Sequence, residues 1–261
     1  MNTKKFFIYG MLVLASVLLV ISTSCEKEED NPTPPVENGN GDDNGDDNGD
    51  IEYGEMTDSR DGTTYKTVQI GDQEWMAENL VYLPSVVGPG TGSNTTSYYY
   101  VYGYNGTSVS AAKSTANYTT YGVLYNWPAA MNSSASSSAN PSGVQGICPA
   151  GWHLPSDAEW TQLTYYLGGQ GVAGGKLKAT TLWASPNTGA TNETGFTALP
   201  GGSHNSYGGF YNIGSRGDWW SATEDNTDNA WNRYLYYDNS YVNSYYYFKE
   251  VGFSVRCLRD N

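Results

Sequence analysis

The chain has 261 residues and a formal net charge of −14 at pH 7, from 13 Lys and Arg against 27 Asp and Glu. Binding of nucleic acid needs clustered Lys and Arg that displace counterions from phosphates, and the basic residues here form no cluster. We therefore expect no nucleic-acid partner. The length that remains after a leader and a spacer suits about one domain with a substantial core.

The first 24 residues have the pattern of a signal peptide. Lys4 and Lys5 give a positive start, and a mainly apolar run follows over 6–21. An uncleaved membrane anchor is the alternative, but a span normally needs about 18 or more apolar residues. Residues 22–25, Ser-Thr-Ser-Cys, resemble a bacterial lipobox without its usual leucine. The resemblance implies that Cys25 carries a lipid and begins the mature chain.

Residues 25–51 have the composition of a flexible acidic linker. Between positions 26 and 50 the segment is Asp, Asn, Gly, Glu and Pro with Val36 as its single aliphatic residue. Such a segment buries too little apolar surface to offset the entropy of ordering. The acids that follow Cys25 also resemble the export signal of Bacteroidota lipoproteins. This resemblance implies an outer-membrane lipoprotein exposed at the cell surface.

Residues 44–55 leave one metal-binding alternative open. Their Asn, Asp, Gly and Glu residues fall at the ligand offsets of an EF-hand calcium loop. Against such a site, the first ligand would be Asn44, and the flanks are a Gly-rich linker and a predicted strand instead of helices. Low-complexity tracts also produce such offsets by chance, so we predict no cofactor and no metal.

Cys148 and Cys257 are the two cysteines that remain after the lipid position. An exported chain meets an oxidising compartment, which favours one disulfide, and two buried free thiols are the alternative. The histidines, His153 and His204, lie in no recognisable nucleophile motif. Neither cysteine is therefore predicted to be catalytic.

The domain is predicted to cover residues 52–261 and to begin with a hairpin. Residues 65–70 alternate in polarity, and Gly71 opens a two-residue turn into the next strand. Residues 84–120 have no helical period and are predicted to be loops or short irregular strands. A short helix is expected within 121–131, with Pro128 confined to its first turn by its missing N–H.

The clearest helix is predicted to begin at Ser156, which forms a capping box with Glu159. Trp160 lies on its apolar face, and Gly168 ends it. Further β-prone segments follow at 218–222, 230–237 and 252–258. The pattern predicts an α+β fold with short twisted β-strands, about two helices and extensive irregular loops. The tryptophans are expected in the core, namely Trp75, Trp152, Trp160, Trp219 and Trp220.

Three motifs carry a family resemblance: CPAGWHLPSDAEW at 148–160, WWSATE at 219–224 and GFSVRC at 252–257. They resemble the Fibrobacter succinogenes major paralogous domain (FISUMP), over roughly residues 57–260. The helix motif and the closing motif are also similar to sulfatase-modifying factor domains, which have a C-type-lectin-like fold. The resemblance implies that fold here, with paired N- and C-terminal strands and with Cys148 bonded to Cys257.

The activities of these related groups are not expected. Formylglycine-generating enzymes use a cysteine pair near the C-terminus, where this chain has Cys257 alone. Calcium lectins use a Trp-Asn-Asp motif, but here Arg233 replaces the acid after Trp231 and Asn232. No spacing singles out a carboxylate pair for glycan hydrolysis. We therefore predict that the protein is not an enzyme, and a glycan-processing enzyme is the second alternative.

Residues 225–248 have the composition of a recognition surface. Tyr supplies rigid contact area with a polar tip, and Asn and Ser supply adaptable hydrogen bonds, as in antibody loops. The segment also resembles the variable repeat of proteins that retroelements diversify. The alternative is that these residues line strands that need no partner. The predicted ligand-binding residues are Asn232, Tyr234, Tyr236, Tyr237, Asn239, Tyr241, Asn243, Tyr245, Tyr246 and Tyr247.

The sequence thus predicts a surface lipoprotein that binds an external protein or glycan, with a structural cell-envelope component as the alternative. The tyrosines of residues 97–104 are a further candidate part of the surface. His153 is expected to be a satisfied structural histidine, and Glu159 the capping acid. Arg256 is expected to pair with a carboxylate and so hold the closing strand.

Overall fold

The computed structural model describes residues 51–205 and 207–260, so the predictions for Cys25, the signal peptide and nearly all of the linker lie outside the described residues. The first strands and helices in chain order are β1 (Tyr53–Thr57), β2 (Thr64–Ile70), β3 (Gln73–Met76), β4 (Tyr99–Tyr100), α1 (Val109–Lys113), α2 (Ala116–Tyr121), β5 (Leu124–Tyr125), α3 (Trp127–Met131) and β6 (Trp152–His153). They are followed by α4 (Asp157–Tyr166), α5 (Gln170–Leu177), β7 (Ser203–His204), β8 (Phe210–Tyr211), β9 (Arg216–Glu224), β10 (Asn229–Tyr236), β11 (Asn243–Phe248) and β12 (Leu258–Arg259).

A five-stranded antiparallel sheet has the order β1-β2-β3-β12-β6. The predicted hairpin is confirmed: Ile70 pairs with Gln73, and Gly71 has the positive φ of +60° that its turn requires. Strand β12 pairs with β3 and β6, whereas β1 pairs with β2. The terminal strands therefore share a sheet but are not direct neighbours, which corrects the expected pairing.

A second antiparallel sheet has the order β11-β10-β9. Strand β9 is buried over eight of its nine residues, because the rest of the fold covers it on both faces. An isolated bridge between Trp219 and Ser254 ties β9 to the segment before β12. Two smaller sheets consist of β4 with β5 and of β7 with β8. The structure is thus mixed α+β with several small antiparallel sheets.

The predicted capping box of α4 is confirmed. The Ser156 hydroxyl accepts a hydrogen bond from the Glu159 N–H (3.2 Å), and Glu159 Oε2 accepts one from the Ser156 N–H (2.8 Å). Pro128 lies in the first turn of α3, as expected. The expectation of about two helices is wrong, since five occur within the described residues. Two of these, α1 and α2, have five and six residues, which is too short for a helical period to show.

Two hydrophobic clusters form the core, and neighbouring residues of one strand enter different clusters. Met76 and Trp220 pack in the first cluster, whereas Trp75 and Trp219 pack in the second. The Trp75 and Trp160 rings lie 4.7 Å apart, which ties α4 to β3. The predicted burial of the tryptophans is confirmed for all of Trp75, Trp152, Trp160, Trp219 and Trp220.

The C-terminal segment is fixed by a disulfide and by a buried cation. Cys148 is bonded to Cys257, which confirms the predicted bridge, and both are fully buried. Arg256 is also fully buried, but its expected carboxylate partner is wrong, because no ion pair joins it to a described carboxylate. Its guanidinium instead donates to the backbone carbonyls of Met76, Phe196 and Thr197 and to Asn79 Oδ1.

His153 joins this C-terminal end to α4. Its Nε2 lies 2.8 Å from Glu159 Oε1 and its Nδ1 lies 2.7 Å from Asp260 Oδ1, so the predicted structural role is confirmed. Burial alone lowers the pKa of His153, but the hydrogen bonds and charges of the two carboxylates outweigh burial and raise it. Folding therefore increases the affinity of the His153 ring for a proton relative to the unfolded chain.

We expect His153 to stabilise the fold in acid more than in base. Because its folded pKa is raised, its contribution is fully present below the unfolded value of 6.5 and is lost as pH rises through the folded pKa. The measurement is the free energy of unfolding in urea at pH 6 and pH 8.5, for the original chain and for His153→Gln. The loss caused by the substitution should be larger at pH 6.

His204→Gln is the matched control for this pH dependence. Burial lowers the pKa of His204, so the pH dependence of its contribution should be opposite: the contribution is present above the unfolded value of 6.5 and is lost as pH falls through the lowered folded pKa. Equal losses at the two pH values in His153→Gln would contradict the assignment.

Within the described residues, no helix is long and apolar enough to cross a membrane.

Candidate functional site

Three tyrosines surround Arg216 on the sheet formed by β9, β10 and β11, and a fourth packs against one of them. The guanidinium carbon of Arg216 lies 4.1 Å from the ring centroid of Tyr234 and 5.3 Å from those of Tyr236 and Tyr247. The Tyr245 ring lies 5.6 Å from that of Tyr247. The side chain of Arg216 is 7% exposed, and a desolvated cation interacts more strongly with aromatic faces. We call these five residues the Arg216 cluster.

The strand register explains how the cluster forms. Tyr234 pairs with Asp218 and with Asn243, and Tyr236 pairs with Arg216. Since alternate residues of a strand share a face, the tyrosines of β10 come to lie beside the charged residues of β9. Arg216 Nη1 also donates to the Tyr236 hydroxyl (3.2 Å) and to the Tyr247 hydroxyl (3.3 Å). The cluster is therefore held by both ring and hydroxyl contacts.

The Asp218 carboxylate forms an ion pair with the guanidinium of Arg216. Its Oδ1 accepts hydrogen bonds from Arg216 Nη2 (2.6 Å) and Nε (3.0 Å) and from Asn232 Nδ2 (3.0 Å). Burial raises the pKa of Asp218 to about 6, although the Arg216 charge opposes this shift. Asp218 and Arg216 thus form an ion pair within the sheet, 2.6 Å between Oδ1 and Nη2. Asn232, a predicted ligand residue, is fully buried and supports Asp218.

The edge strand of this sheet, β11, exposes two tyrosine rings. Tyr245 is 47% exposed and Tyr246 is 40% exposed. Their rings are stacked, with centroids 4.7 Å apart, and the Tyr246 ring lies 5.7 Å from that of Trp231. Two rings that are already ordered against each other lose little conformational freedom when a ligand binds.

The remaining predicted residues, Tyr237, Asn239 and Tyr241, lie in a different place. They belong to the loop between β10 and β11, which lies against α5, where the Tyr241 carbonyl leaves no room for a side chain at Gly174. The buried Lys178 ammonium donates to the carbonyls of Asn239 (2.9 Å), Tyr236 (3.1 Å) and Thr188 (2.9 Å). Burial lowers the pKa of Lys178 to about 8. The predicted set is thus divided between the Arg216 cluster with its edge strand and this loop.

A cavity of about 310 Å³ lies beside the cluster. The hairpin of β7 and β8 forms one wall through Ser203 and Tyr211, and Tyr247 and Phe248 of β11 form another. Arg216 also lines it. Sequence reasoning missed both Arg216 and this hairpin. The available signal was the aromatic pair at 210–211 within a Gly- and Asn-rich stretch, which is typical of an exposed hairpin.

The tyrosines of residues 97–104 do not extend this surface as expected. Tyr99 and Tyr100 are buried in β4, and the Tyr100 ring stacks on His204 with centroids 3.9 Å apart. The Tyr102 ring packs on Phe210, 5.1 Å away. The polar composition of the segment concealed this burial, because Tyr is as common in cores as at surfaces.

The described part of the chain contains no group of three or more His, Cys, Asp or Glu side chains placed to hold a metal ion.

The geometry defines a class: a disulfide-bonded α+β domain with an ordered aromatic cluster at the open edge of a small sheet. Residues 68–259 match the family model of the Fibrobacter succinogenes major domain, so the chain belongs to that family. Comparisons with curated proteins and with solved structures gave no match.

Proposed function

We propose that this protein is a surface-exposed lipoprotein that binds an external ligand through the Arg216 cluster and strand β11. The observation that carries the proposal is the arrangement of tyrosines that leads from the buried Arg216–Asp218 ion pair on β9 to the open edge strand β11. Rigid tyrosines beside Asn and Ser side chains are the composition that recognition surfaces use.

The anchor and the location rest on the sequence. The predicted signal peptide and lipobox support a lipid on Cys25, and the acidic composition of the following segment supports a linker between the outer membrane and the domain. The resemblance to retroelement-diversified repeats fits the same location, because Tyr245 and Tyr246 are exposed at the edge, where a change of side chain leaves the core intact. A C-type-lectin-like fold, with the C-terminal strand inside the main sheet, also belongs to this proposal.

The test is an array of glycans and extracellular proteins probed with the purified chain and with a Tyr245→Ala, Tyr246→Ala variant. Both rings are exposed, so we expect a folded variant that has lost binding by about tenfold or more, as for aromatic hot spots. Intact cells should bind the same array ligand and lose that binding after Cys25→Ala.

The matched control is Tyr165→Ala, Tyr166→Ala, which removes two tyrosines that are 74% and 65% exposed on α4. This variant should bind as the original chain does. Retained binding in the Tyr245, Tyr246 variant, or equal loss in both variants, would place recognition elsewhere, and no binding by the original chain would favour the structural alternative.

A further inference from the structure

Strand β11 is an open edge without the usual protection against pairing. Its six residues, Asn-Ser-Tyr-Tyr-Tyr-Phe, contain no charge and no proline. It pairs with β10 on one side and ends the order of its sheet, and no other described strand pairs with it. In an edge strand every second residue directs its N–H and C=O outward, so about three residues of β11 offer backbone hydrogen bonds.

Strand β1, an edge of the five-stranded sheet, carries the protection that β11 lacks. Strand β1, Tyr-Gly-Glu-Met-Thr, places the charged Glu55 in its centre. Proteins commonly protect edge strands with such charges, because a charge opposes the addition of another strand. Strand β11 instead exposes aromatic rings, with Phe248 50% exposed at its C-terminal end. The missing protection marks β11 as a place where a strand can be added.

The cavity of about 310 Å³ lies at the same end of β11, where Phe248 and Tyr247 line it with Tyr211. Val251 and Phe253, both buried, supply further apolar lining. Its volume is at the lower limit of ligand pockets, about 300 Å³, so it has room for one large side chain. A cavity beside an open edge gives a strand-like partner a position in which one side chain is selected.

Charge distinguishes one end of the edge from the other. Phe248 pairs with Asn229, and the Lys249 N–H donates to the Asp228 carbonyl (2.9 Å), so the turn before β10 lies next to this end. The residues just before β10 and just after β11 include four acids and one lysine, namely Glu224, Asp225, Asp228 and Glu250 against Lys249. We call these four carboxylates the acidic rim. Lys249 already pairs with Glu224 at 2.8 Å.

We propose that the ligand is an extended segment of another protein that adds to β11 as a further antiparallel or parallel strand. An aromatic or large aliphatic side chain of this segment fills the cavity, and Lys or Arg residues at one end contact the acidic rim. The inference rests on the proposed function and narrows its ligand to a protein segment. The backbone of β11 supplies affinity, whereas the cavity and the rim supply sequence preference.

A second copy of this chain fits the edge less well. Antiparallel pairing of two β11 strands would place each acidic rim near Asn243 of the other copy. Strand β11 has no basic residue there to pair with the carboxylates. Residues 51–261 carry −7 of the total −14, so two domains also repel each other. A basic segment of a different protein meets neither obstacle.

The test is a display library of random decapeptides selected against the purified full chain. We expect enriched peptides to alternate uncharged residues, to share one aromatic or large aliphatic position, and to carry Lys or Arg at one end. N-methylation of alternate backbone nitrogens in an enriched peptide should weaken its binding by about tenfold or more, because it removes the hydrogen bonds to β11.

Variants of the chain assign each contact. Phe248→Ala and Tyr211→Ala should weaken binding about tenfold and abolish the preference for the large side chain. Asp228→Lys should remove the preference for Lys and Arg. Tyr166→Ala, which changes a tyrosine 65% exposed on α4, should have no effect. The thermal transition of each variant shows whether it is folded.

Three results would overturn the proposal: no enriched peptide, binding that N-methylation leaves unchanged, or a concentration-dependent dimer that Tyr246→Lys abolishes. A different result separates the two proposals. If a glycan binds the chain, loses that binding in the Tyr245→Ala, Tyr246→Ala variant and no peptide is enriched, the recognition function stands and the peptide inference fails.

Discussion

Replacing Arg256 with methionine is expected to destabilise the fold by about 3 to 5 kcal/mol. The guanidinium donates to three backbone carbonyls and to Asn79, and it lies 4.3 Å from the centroid of the Phe196 ring. Methionine fills part of the volume but removes the guanidinium donors from the three carbonyls, while Asn79 Oδ1 keeps the Trp219 Nε1–H as a donor (2.9 Å). The measurement is the free energy of unfolding in urea.

Arg259→Met is the matched control, three residues further along the chain. Its side chain is 59% exposed and pairs with Glu74 at 2.7 Å. Exposed ion pairs contribute about 0 to 1 kcal/mol, so this substitution should change little. If Arg256→Met also cost less than about 1 kcal/mol, the network around Arg256 would not be the support that we assign to it.

Removing the disulfide, with both Cys148→Ala and Cys257→Ala, is expected to cost about 4 kcal/mol. The bridge joins residues 109 positions apart, and closing so long a loop restricts the unfolded chain strongly. Both sulfur atoms also lie in the first hydrophobic cluster, where alanine leaves a small cavity. The measurement is the unfolding free energy of the oxidised chain and of the double variant.

Reduction provides the control for this prediction. The original chain, unfolded in the presence of a reductant, should lose a similar free energy, while the double variant should be insensitive to reductant. An original chain with the same unfolding free energy with and without reductant would contradict the stabilising role of the bridge.

The elements that sequence reasoning found were those with local signals. The capping box of Ser156 and Glu159 and the Gly71 turn depend on residues within a few positions, so their types alone predict them. The pairing of β12 with β3 and β6 depends on contacts across most of the chain. This pairing has no local signal in the sequence. The direct pairing of the terminal strands, which the family resemblance implied, was wrong, because β1 pairs with β2.

The tyrosines of the candidate site were predictable from local composition, whereas the residues that organise them were not. The composition of residues 225–248 drew attention to the tyrosines, but their division between a cluster and a loop depends on Arg216 and Lys178, which lie outside that segment. A buried cation organises neighbours from several elements at once, and its role cannot be read from a single charged residue in the sequence.

The covalent topology of the domain has a consequence for its resistance to proteolysis at the proposed surface location. The Cys148 to Cys257 bridge encloses every residue of the Arg216 cluster, the β7–β8 hairpin and strand β11 within one closed loop. If an external protease cuts the exposed tip of that hairpin beside Tyr207, the two ends stay joined through the bridge. A nicked molecule therefore keeps the proposed recognition edge covalently attached to the N-terminal part of the chain, and only a second cut in the loop releases a fragment.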